Sequence, residues 1–104
     1  MSSEELLQKD AQFVIRAWTG VAEPTPVVQG RGAILVDPEG REYIDCSSGL
    51  FAVNVGHSRP EVVAAVKDQV EKVIQVSVLQ TTEPMVRLAE RVAQLTPAPL
   101  QKSY

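Results

Sequence analysis

The chain has 104 residues, of which 44% are hydrophobic and 22% are charged, and its formal net charge is −3. This length limits the chain to one modest core, and its balance of charges excludes disorder by composition and argues against nucleic acid as a partner. One cysteine and one histidine exclude an internal disulfide and leave too few ligands for a structural zinc site, so no metal is expected. The acidic N-terminus lacks the positive region of a signal peptide, and no apolar run approaches the roughly 20 residues of a membrane span. These features predict a cytoplasmic protein.

Residues 1–25 predict an amphipathic helix followed by a connector. The helix is expected from about Ser3 to Ala17, with Ser2 or Ser3 as its N-cap. Its apolar side chains recur at helical spacing, and they are Leu7, Ala11, Val14 and Trp18. The prolines of "EPTP" then end the helix, because they remove two backbone donors and restrict the preceding residues.

Residues 26–59 predict a small antiparallel sheet followed by a loop. Two runs rich in β-branched residues flank "DPEG", residues 37–40, which suits a type I turn with Gly40 at positive φ. This pattern predicts a β-hairpin over about residues 33–45. The preceding "PVVQGRG" supplies a third short strand, in which two glycines allow a bend or bulge.

Residues 60–104 predict two amphipathic helices. The first runs from about Pro60 to Gln75 with Ser58 as candidate N-cap, and the second begins after Thr82 and ends before Pro97. Their apolar stripes are Val62, Val66, Val70 and Val73 on the first and Met85, Leu88, Val92 and Leu95 on the second. A small hairpin can cover only one such stripe, so the chain is expected to be cut off at "KSY", a possible strand, and to self-associate if made alone.

The apolar loop "SGLFAVNVG", residues 48–56, has two interpretations. In the structural one, Leu50, Phe51, Val53 and Val55 are core residues of an irregular strand, and Gly49 allows a sharp turn. In the functional one, Gly49 brings the backbone close to a ligand while Leu50 and Phe51 form an apolar wall of its pocket. From the residues alone, the structural interpretation is favoured.

No catalytic residue is predicted from the residues themselves. His57 precedes a helix without a Ser, Cys or acid spaced to indicate a triad, so a hydrogen-bonding or packing role is expected. Cys46 has no local cation to lower its thiol pKa and is expected to be a small buried hydrophobe. The four lysines fall on predicted helices or the tail, where solvated faces explain them.

Four motifs, taken in order, resemble the N-terminal portion of class III aminotransferases, which are pyridoxal-phosphate enzymes of fold type I. They are G-x-G-x-x-x-x-D-x-x-G-x-x-Y-I-D, then S-G, then N-x-G-H-x-x-P, and then P-x-x-x-L-A-E-R. The resemblance extends from about Pro26 to the end of the chain. It implies an α+β fold in which an N-terminal helix, a small antiparallel three-stranded sheet and two amphipathic helices form roughly the first quarter of a homodimeric enzyme.

The resemblance also implies site residues. Gly49, Leu50 and Phe51 would be substrate-binding, and Val78 and Leu79 would border the pocket of the neighbouring subunit. The Schiff-base lysine and the residues that bind pyridoxal phosphate would lie beyond this chain, which is therefore expected to be inactive alone. The complete enzyme would transfer an amino group from an amino acid or ω-amine to a keto acid.

Two alternatives remain beside this interpretation. Relatives of the same fold carry racemase, decarboxylase or aminomutase chemistry, and only the missing part of the chain would discriminate these. The other alternative is a standalone, non-catalytic interaction module. Such a module would be expected to carry polar substitutions along the two helical stripes, and the sequence has none.

Overall fold

A computed structural model of the chain describes residues 1–15 and 23–103. The elements in chain order are α1 (Ser3–Phe13), β1 (Gln29–Arg31), β2 (Ile34–Val36), β3 (Glu42–Ile44), α2 (Ser48–Phe51), α3 (Pro60–Val70) and α4 (Glu83–Leu95). The predicted α+β order of a helix, a three-stranded antiparallel sheet and two amphipathic helices is confirmed, and the short α2 is an addition to it. The chain divides into two compact units, Met1–Ala65 and Val66–Tyr104. None of the described helices is long and apolar enough to cross a membrane.

Helix α1 begins where the sequence predicts and ends earlier. Ser2 is the N-cap of a capping box, because its side chain accepts a hydrogen bond from the Glu5 amide and its own amide donates to the Glu5 carboxylate. The helix ends at Phe13, and Val14 is extended at φ −107° and ψ 121°. The prediction of helix as far as Ala17 is thus wrong at Val14 and at residue 15, two adjacent β-branched residues of low helix propensity. Residues 16–18 lie outside the described part of the chain.

The hairpin turn is tied to the N-terminus of α1. Glu39 accepts hydrogen bonds from the amide of Ser3, at 2.8 Å, and from its hydroxyl. A carboxylate at this end of a helix satisfies a free amide and is attracted by the helix dipole. These two bonds from Ser3 lower the pKa of Glu39. The helix is therefore anchored to the sheet through side chains that are 36 positions apart in the sequence.

The sheet has the order β1-β2-β3, and both pairings are antiparallel. Asp37, which is buried, closes the hairpin by accepting hydrogen bonds from the Glu39 and Arg41 amides, the Arg41 guanidinium and the Tyr43 hydroxyl. Gly40 has φ +83°, as the turn sequence predicts. The hairpin therefore depends on one carboxylate with several partners more than on apolar burial.

The two later helices begin as predicted, and the first of them is shorter than predicted. Pro60 is the first residue of α3, and Arg59 takes the N-cap position expected for Ser58, because its carbonyl accepts the first helical hydrogen bond, from the Val63 amide. The helix ends at Val70 and does not reach Gln75.

The early end of α3 has a local cause. The side chain of Gln69 donates to the carbonyl of Val73 at 3.0 Å, and the intervening Lys72 amide bonds the Gln69 carbonyl in a tighter turn. The sequence that follows, "VIQV", is rich in β-branched residues, which disfavour a further helical turn. Helix α4 follows from its N-cap Thr82 and ends at Leu95, before Pro97 as predicted.

The apolar stripes of the helices remain uncovered. No hydrophobic side chain among residues 1–15 and 23–103 is fully buried. The exposed ones include Val62, Val66 and Val70 on α3 and Met85, Leu88, Val92 and Leu95 on α4. A stripe of this kind needs a second layer to pack on, as the sequence pattern predicts.

Candidate functional site

The loop between β3 and α3 contains one turn of left-handed helix. Four successive residues, Ser48 to Phe51, have φ between 49° and 65°. The Phe51 amide donates to the Ser47 carbonyl at 2.8 Å, and the two amides that follow donate to Ser48. Left-handed helix costs roughly 1–2 kcal/mol for each residue with a β-carbon, and three of these four residues have one. Such a conformation persists only where neighbouring groups impose it.

This turn gives Leu50 and Phe51 an exposed position. Their exposed fractions are 71% and 77%, and Val55 is also exposed, while Val53 is half-buried. The interpretation of these four residues as core of an irregular strand is therefore wrong, because residues 48–51 form a helical turn, residues 52–55 form no strand, and of the four only Val53 is half-buried. Gly49 is at the start of the turn with φ +56°, and a β-carbon there would approach a Val53 methyl to 2.8 Å.

The carboxylate of Asp45 holds the turn in place. Its Oδ1 accepts from the Ser47 amide at 3.0 Å and the Ser47 hydroxyl at 2.8 Å. Its Oδ2 accepts from the Gly49 amide at 2.9 Å and from Nε2 of His57 at 2.7 Å. The Asp45 side chain is only 5% exposed. All four side-chain hydrogen bonds lie within the loop: two come from Ser47, just before the left-handed turn, one from Gly49 within it, and one from His57.

His57 connects this carboxylate to the sheet. Its backbone pairs with Gly32 through two hydrogen bonds, at 2.8 and 3.0 Å, in an isolated β-bridge. Glycines make room for this pairing: a β-carbon on Gly30 would lie 2.9 Å from the His57 β-carbon, and one on Gly56 would lie 3.0 Å from the Gly32 α-carbon. The expectation that His57 is a hydrogen-bonding element agrees with this geometry. Asp45 was missed at the level of sequence, where the pattern D-x-S-x-G would have indicated an Asx turn.

A cavity of about 160 Å³ lies beside this pair. Its lining includes Gly32, Asp45, Ser48, Asn54 and His57. The two titratable groups in this lining already bond each other. The apolar side chains of Leu50 and Phe51 are not part of it, so it is a separate feature from the proposed substrate wall.

The contacts of Asp45 predict a dependence on pH. The hydrogen bond from His57 and those from Ser47 lower the pKa of Asp45 from its usual 3.8 to about 2. Because the folded pKa is depressed, the stabilisation is fully present above the unfolded value and is lost as the pH falls from 3.8 towards 2. We expect the protection of amides in residues 47–53, measured against the intrinsic exchange rate at each pH, to fall over this window. The fall should be much smaller in Asp45→Asn. An equal loss of protection in both proteins would contradict this role of the carboxylate.

Val78 and Leu79 lie in the second unit, at the tip of a tight turn. The Gln80 amide donates to the Ser77 carbonyl at 3.0 Å, and the Ser77 hydroxyl accepts from the Leu79 amide. Both apolar side chains are almost fully exposed. The turn thus presents an apolar pair to solvent.

Cys46 and the four lysines are exposed to solvent. Cys46 lies in the loop after β3 and is exposed, so the expectation of a small buried hydrophobe is wrong. All four lysines are exposed as well, and Lys72 forms an ion pair with Asp68 at 2.7 Å. Neither feature indicates an activated nucleophile.

A comparison with known families identifies the chain. The sequence model of "Aminotransferase class-III" matches residues 17–103, which include the sheet, the left-handed turn and both later helices. The chain belongs to the class-III aminotransferases. The 104-residue chain, called the class-III segment below, has the fold of the corresponding part of solved transaminases, as the four sequence motifs imply.

Known relatives resemble the class-III segment along nearly all of its length. The acetylornithine aminotransferase of Methanosarcina mazei is 39% identical over 93 residues, which are 89% of this chain and 23% of that protein. An (S)-enantioselective omega-transaminase from Thermomicrobium roseum superposes with a TM-score of 0.88 at 33% identity, over 98% of this chain and 24% of that one. The taurine:2-oxoglutarate aminotransferase from Bifidobacterium kashiwanohense, solved with PLP and glutamate, gives 0.82 at 28% identity, over 90% and 21%. The class-III segment therefore spans about a quarter of the length of these relatives.

Proposed function

We propose that this chain is the N-terminal segment of a pyridoxal-phosphate-dependent aminotransferase, which transfers an amino group from an amino acid or ω-amine to a keto acid. The observation that carries this proposal is the family match over residues 17–103. The three relatives compared with the segment are all aminotransferases, which favours amino transfer over racemase, decarboxylase or aminomutase chemistry. The protein that contains this segment is called the complete enzyme.

The segment itself does not fit pyridoxal phosphate as a ligand. Covalent attachment needs a desolvated, pre-positioned amine. The lysines of this chain are exposed, and Lys72 is neutralised by Asp68 on the surface of the second unit. We therefore propose that residues outside this segment bind the cofactor and that the segment alone is inactive.

The contribution of the segment is the shape of the substrate pocket. Leu50 and Phe51 form an apolar wall, and Gly49 allows the backbone that carries them to turn sharply. Support comes from the hydrogen-bonded left-handed turn, which presents two large apolar side chains side by side, as a wall of a ligand pocket would need. Apolar contacts of this kind discriminate between substrates and do not perform the transfer.

The complete enzyme is proposed to be a cytoplasmic homodimer in which Val78 and Leu79 contact the neighbouring subunit. Support comes from the exposed apolar pair at the tip of its turn. An interface that buries such a pair removes apolar surface from water on both subunits.

The proposal is tested on the protein as the source cells make it. Its tryptic peptide Asp68–Lys72, "DQVEK", detected together with its flanking sequence, identifies the species that contains the segment. We expect an intact mass several times the 11.3 kDa of this chain. We also expect the purified species to form glutamate from 2-oxoglutarate and an amine donor. A heavy species that racemises or decarboxylates the amino acid without amino transfer would support the related chemistries instead. A species of 11.3 kDa alone would support the non-catalytic module.

A further inference from the structure

We infer that Asp45 and His57 are positioning residues that set substrate selectivity by holding the left-handed turn of Ser48–Phe51. Neither side chain is part of the proposed apolar wall, and both act on it through the backbone. The inference rests on the proposed function, because selectivity has meaning only if Leu50 and Phe51 contact a substrate. Its first step, that the pair maintains the turn, is independent of that function.

The turn needs an external constraint. Ser48, Leu50 and Phe51 are held at φ 49°, 64° and 65°, which residues with a β-carbon rarely adopt. The turn's own hydrogen bonds begin at the Phe51 amide, so they leave the Gly49 amide without a backbone partner. Asp45 Oδ2 accepts from that amide at 2.9 Å. The carboxylate thus completes the first part of a conformation that the local sequence does not favour.

His57 fixes the position of this carboxylate. Its Nε2 donates to the same Oδ2 at 2.7 Å, and its backbone is bonded on both sides to Gly32 at the end of β1. Gly30 leaves room for the ring, since a β-carbon there would lie 3.0 Å from the His57 Cγ. A continuous series of short contacts therefore runs from the sheet through His57 and Asp45 to Gly49. The residues after Gly49 carry the apolar wall.

Loss of this connection is expected to change the wall without removing it. Without the donor on His57, Oδ2 keeps only the Gly49 amide. The Asp45 side chain is then tied to the sheet only through its own backbone, whose amide donates to the Ala33 carbonyl at 2.8 Å. The turn can then relax towards right-handed backbone, and the directions of the Leu50 and Phe51 side chains change with it. The residues that bind the cofactor lie outside the segment, so cofactor content is expected to stay constant.

The experiment compares His57→Leu, which removes the donor, with His57→Gln, whose amide nitrogen can replace Nε2. Both are made in the complete enzyme, with Phe51→Ala alone and in combination with His57→Leu. The readout is the ratio of kcat/KM for the bulkiest and the smallest amine donor that the wild type accepts. We expect His57→Leu to change this ratio by roughly threefold or more and to change it by far less once Phe51 is already alanine, because coupled residues are not additive. His57→Gln should restore most of the wild-type ratio.

A second readout does not depend on activity. Hydrogen exchange is followed in peptides that cover residues 48–53 and, as an internal reference, residues 83–95 of α4. We expect His57→Leu to lose protection in the first peptide and to keep it in the second. An unchanged ratio together with unchanged exchange at 48–53 would overturn the inference, as would a ratio that changes equally with and without Phe51.

The outcomes separate this inference from the proposed function. If the wild type transfers no amino group, the proposed function fails, and the exchange experiment still decides whether the pair holds the turn. If His57→Leu does not fold, Asp45→Asn is measured in its place. Asparagine keeps the shape of the side chain but removes the negative charge of the oxygen that accepts from both His57 and Gly49. Wild-type exchange and selectivity in Asp45→Asn would then overturn the inference.

Discussion

Replacing Phe51 with alanine in the complete enzyme is expected to change the ratio of kcat/KM for bulky and small amine donors by about tenfold or more. An aromatic ring that lines an apolar pocket discriminates by shape, and even one methylene in such a pocket is worth about 1–3 kcal/mol. Alanine keeps a β-carbon, so the left-handed backbone at φ +65° carries the same conformational cost in both proteins. The measurement therefore reports on the lost ring more than on a changed turn.

The matched control is Phe13→Ala. Phe13 is the other phenylalanine of the chain, and it has a similar exposed fraction, 72% against 77% for Phe51, but it ends α1. We expect this control to leave the ratio unchanged and both variants to bind pyridoxal phosphate as the wild type does, by cofactor absorbance. Wild-type selectivity in Phe51→Ala would remove Phe51 from the pocket. A loss of cofactor without a change in selectivity would assign it a different role.

The second large effect is expected for Gly56→Ala, which should lower the melting temperature of the complete enzyme. Gly56 has φ +88°, so alanine adds about 1–2 kcal/mol of backbone strain there. Its new β-carbon would also lie 3.0 Å from the Gly32 α-carbon and 3.3 Å from the Gly32 carbonyl oxygen. To relieve that contact, the two backbones must move apart, which lengthens the two hydrogen bonds between Gly32 and His57. Overpacking of this kind typically costs about 1–3 kcal/mol more.

Gly40→Ala separates the two contributions. Gly40 has nearly the same backbone angle, φ +83°, but a β-carbon there would have nothing within 4 Å. The control therefore carries the conformational strain without the collision. We expect Gly56→Ala to melt clearly below Gly40→Ala in thermal scans under identical conditions, and to lose exchange protection at residues 48–53 as well. Equal melting temperatures would show that the approach of Gly56 to Gly32 does not matter to stability.

The regular elements were predictable because their signals are local. The turn "DPEG" specified the hairpin and the positive φ of Gly40, and Ser2 with Glu5 specified the start of α1. The ends of α1 and α3 were placed too late. In both cases, β-branched residues continued the apolar stripe, and hydrophobic spacing alone does not record their lower helix propensity.

The conformation of the candidate site was not predictable from local signals. "SGLF" has one glycine, and its neighbours have β-carbons that disfavour left-handed backbone, so local preference argues against the structure observed. Asp45 and His57 are 12 positions apart and belong to different motifs of the sequence. Only folding of the loop back onto the end of β1 brings them within 2.7 Å.

The sequence by itself determined the family, the order of the elements and the location of an apolar loop between the sheet and α3. These properties follow from motifs, hydrophobic spacing and turn residues, all of which act over a few neighbouring positions. The tertiary structure decided that Leu50 and Phe51 are exposed, and that a buried carboxylate and a histidine hold their turn. The physical reason is that hydrogen bonds between distant residues, formed only when the loop meets the sheet, compensate for a backbone conformation that the same residues would otherwise avoid.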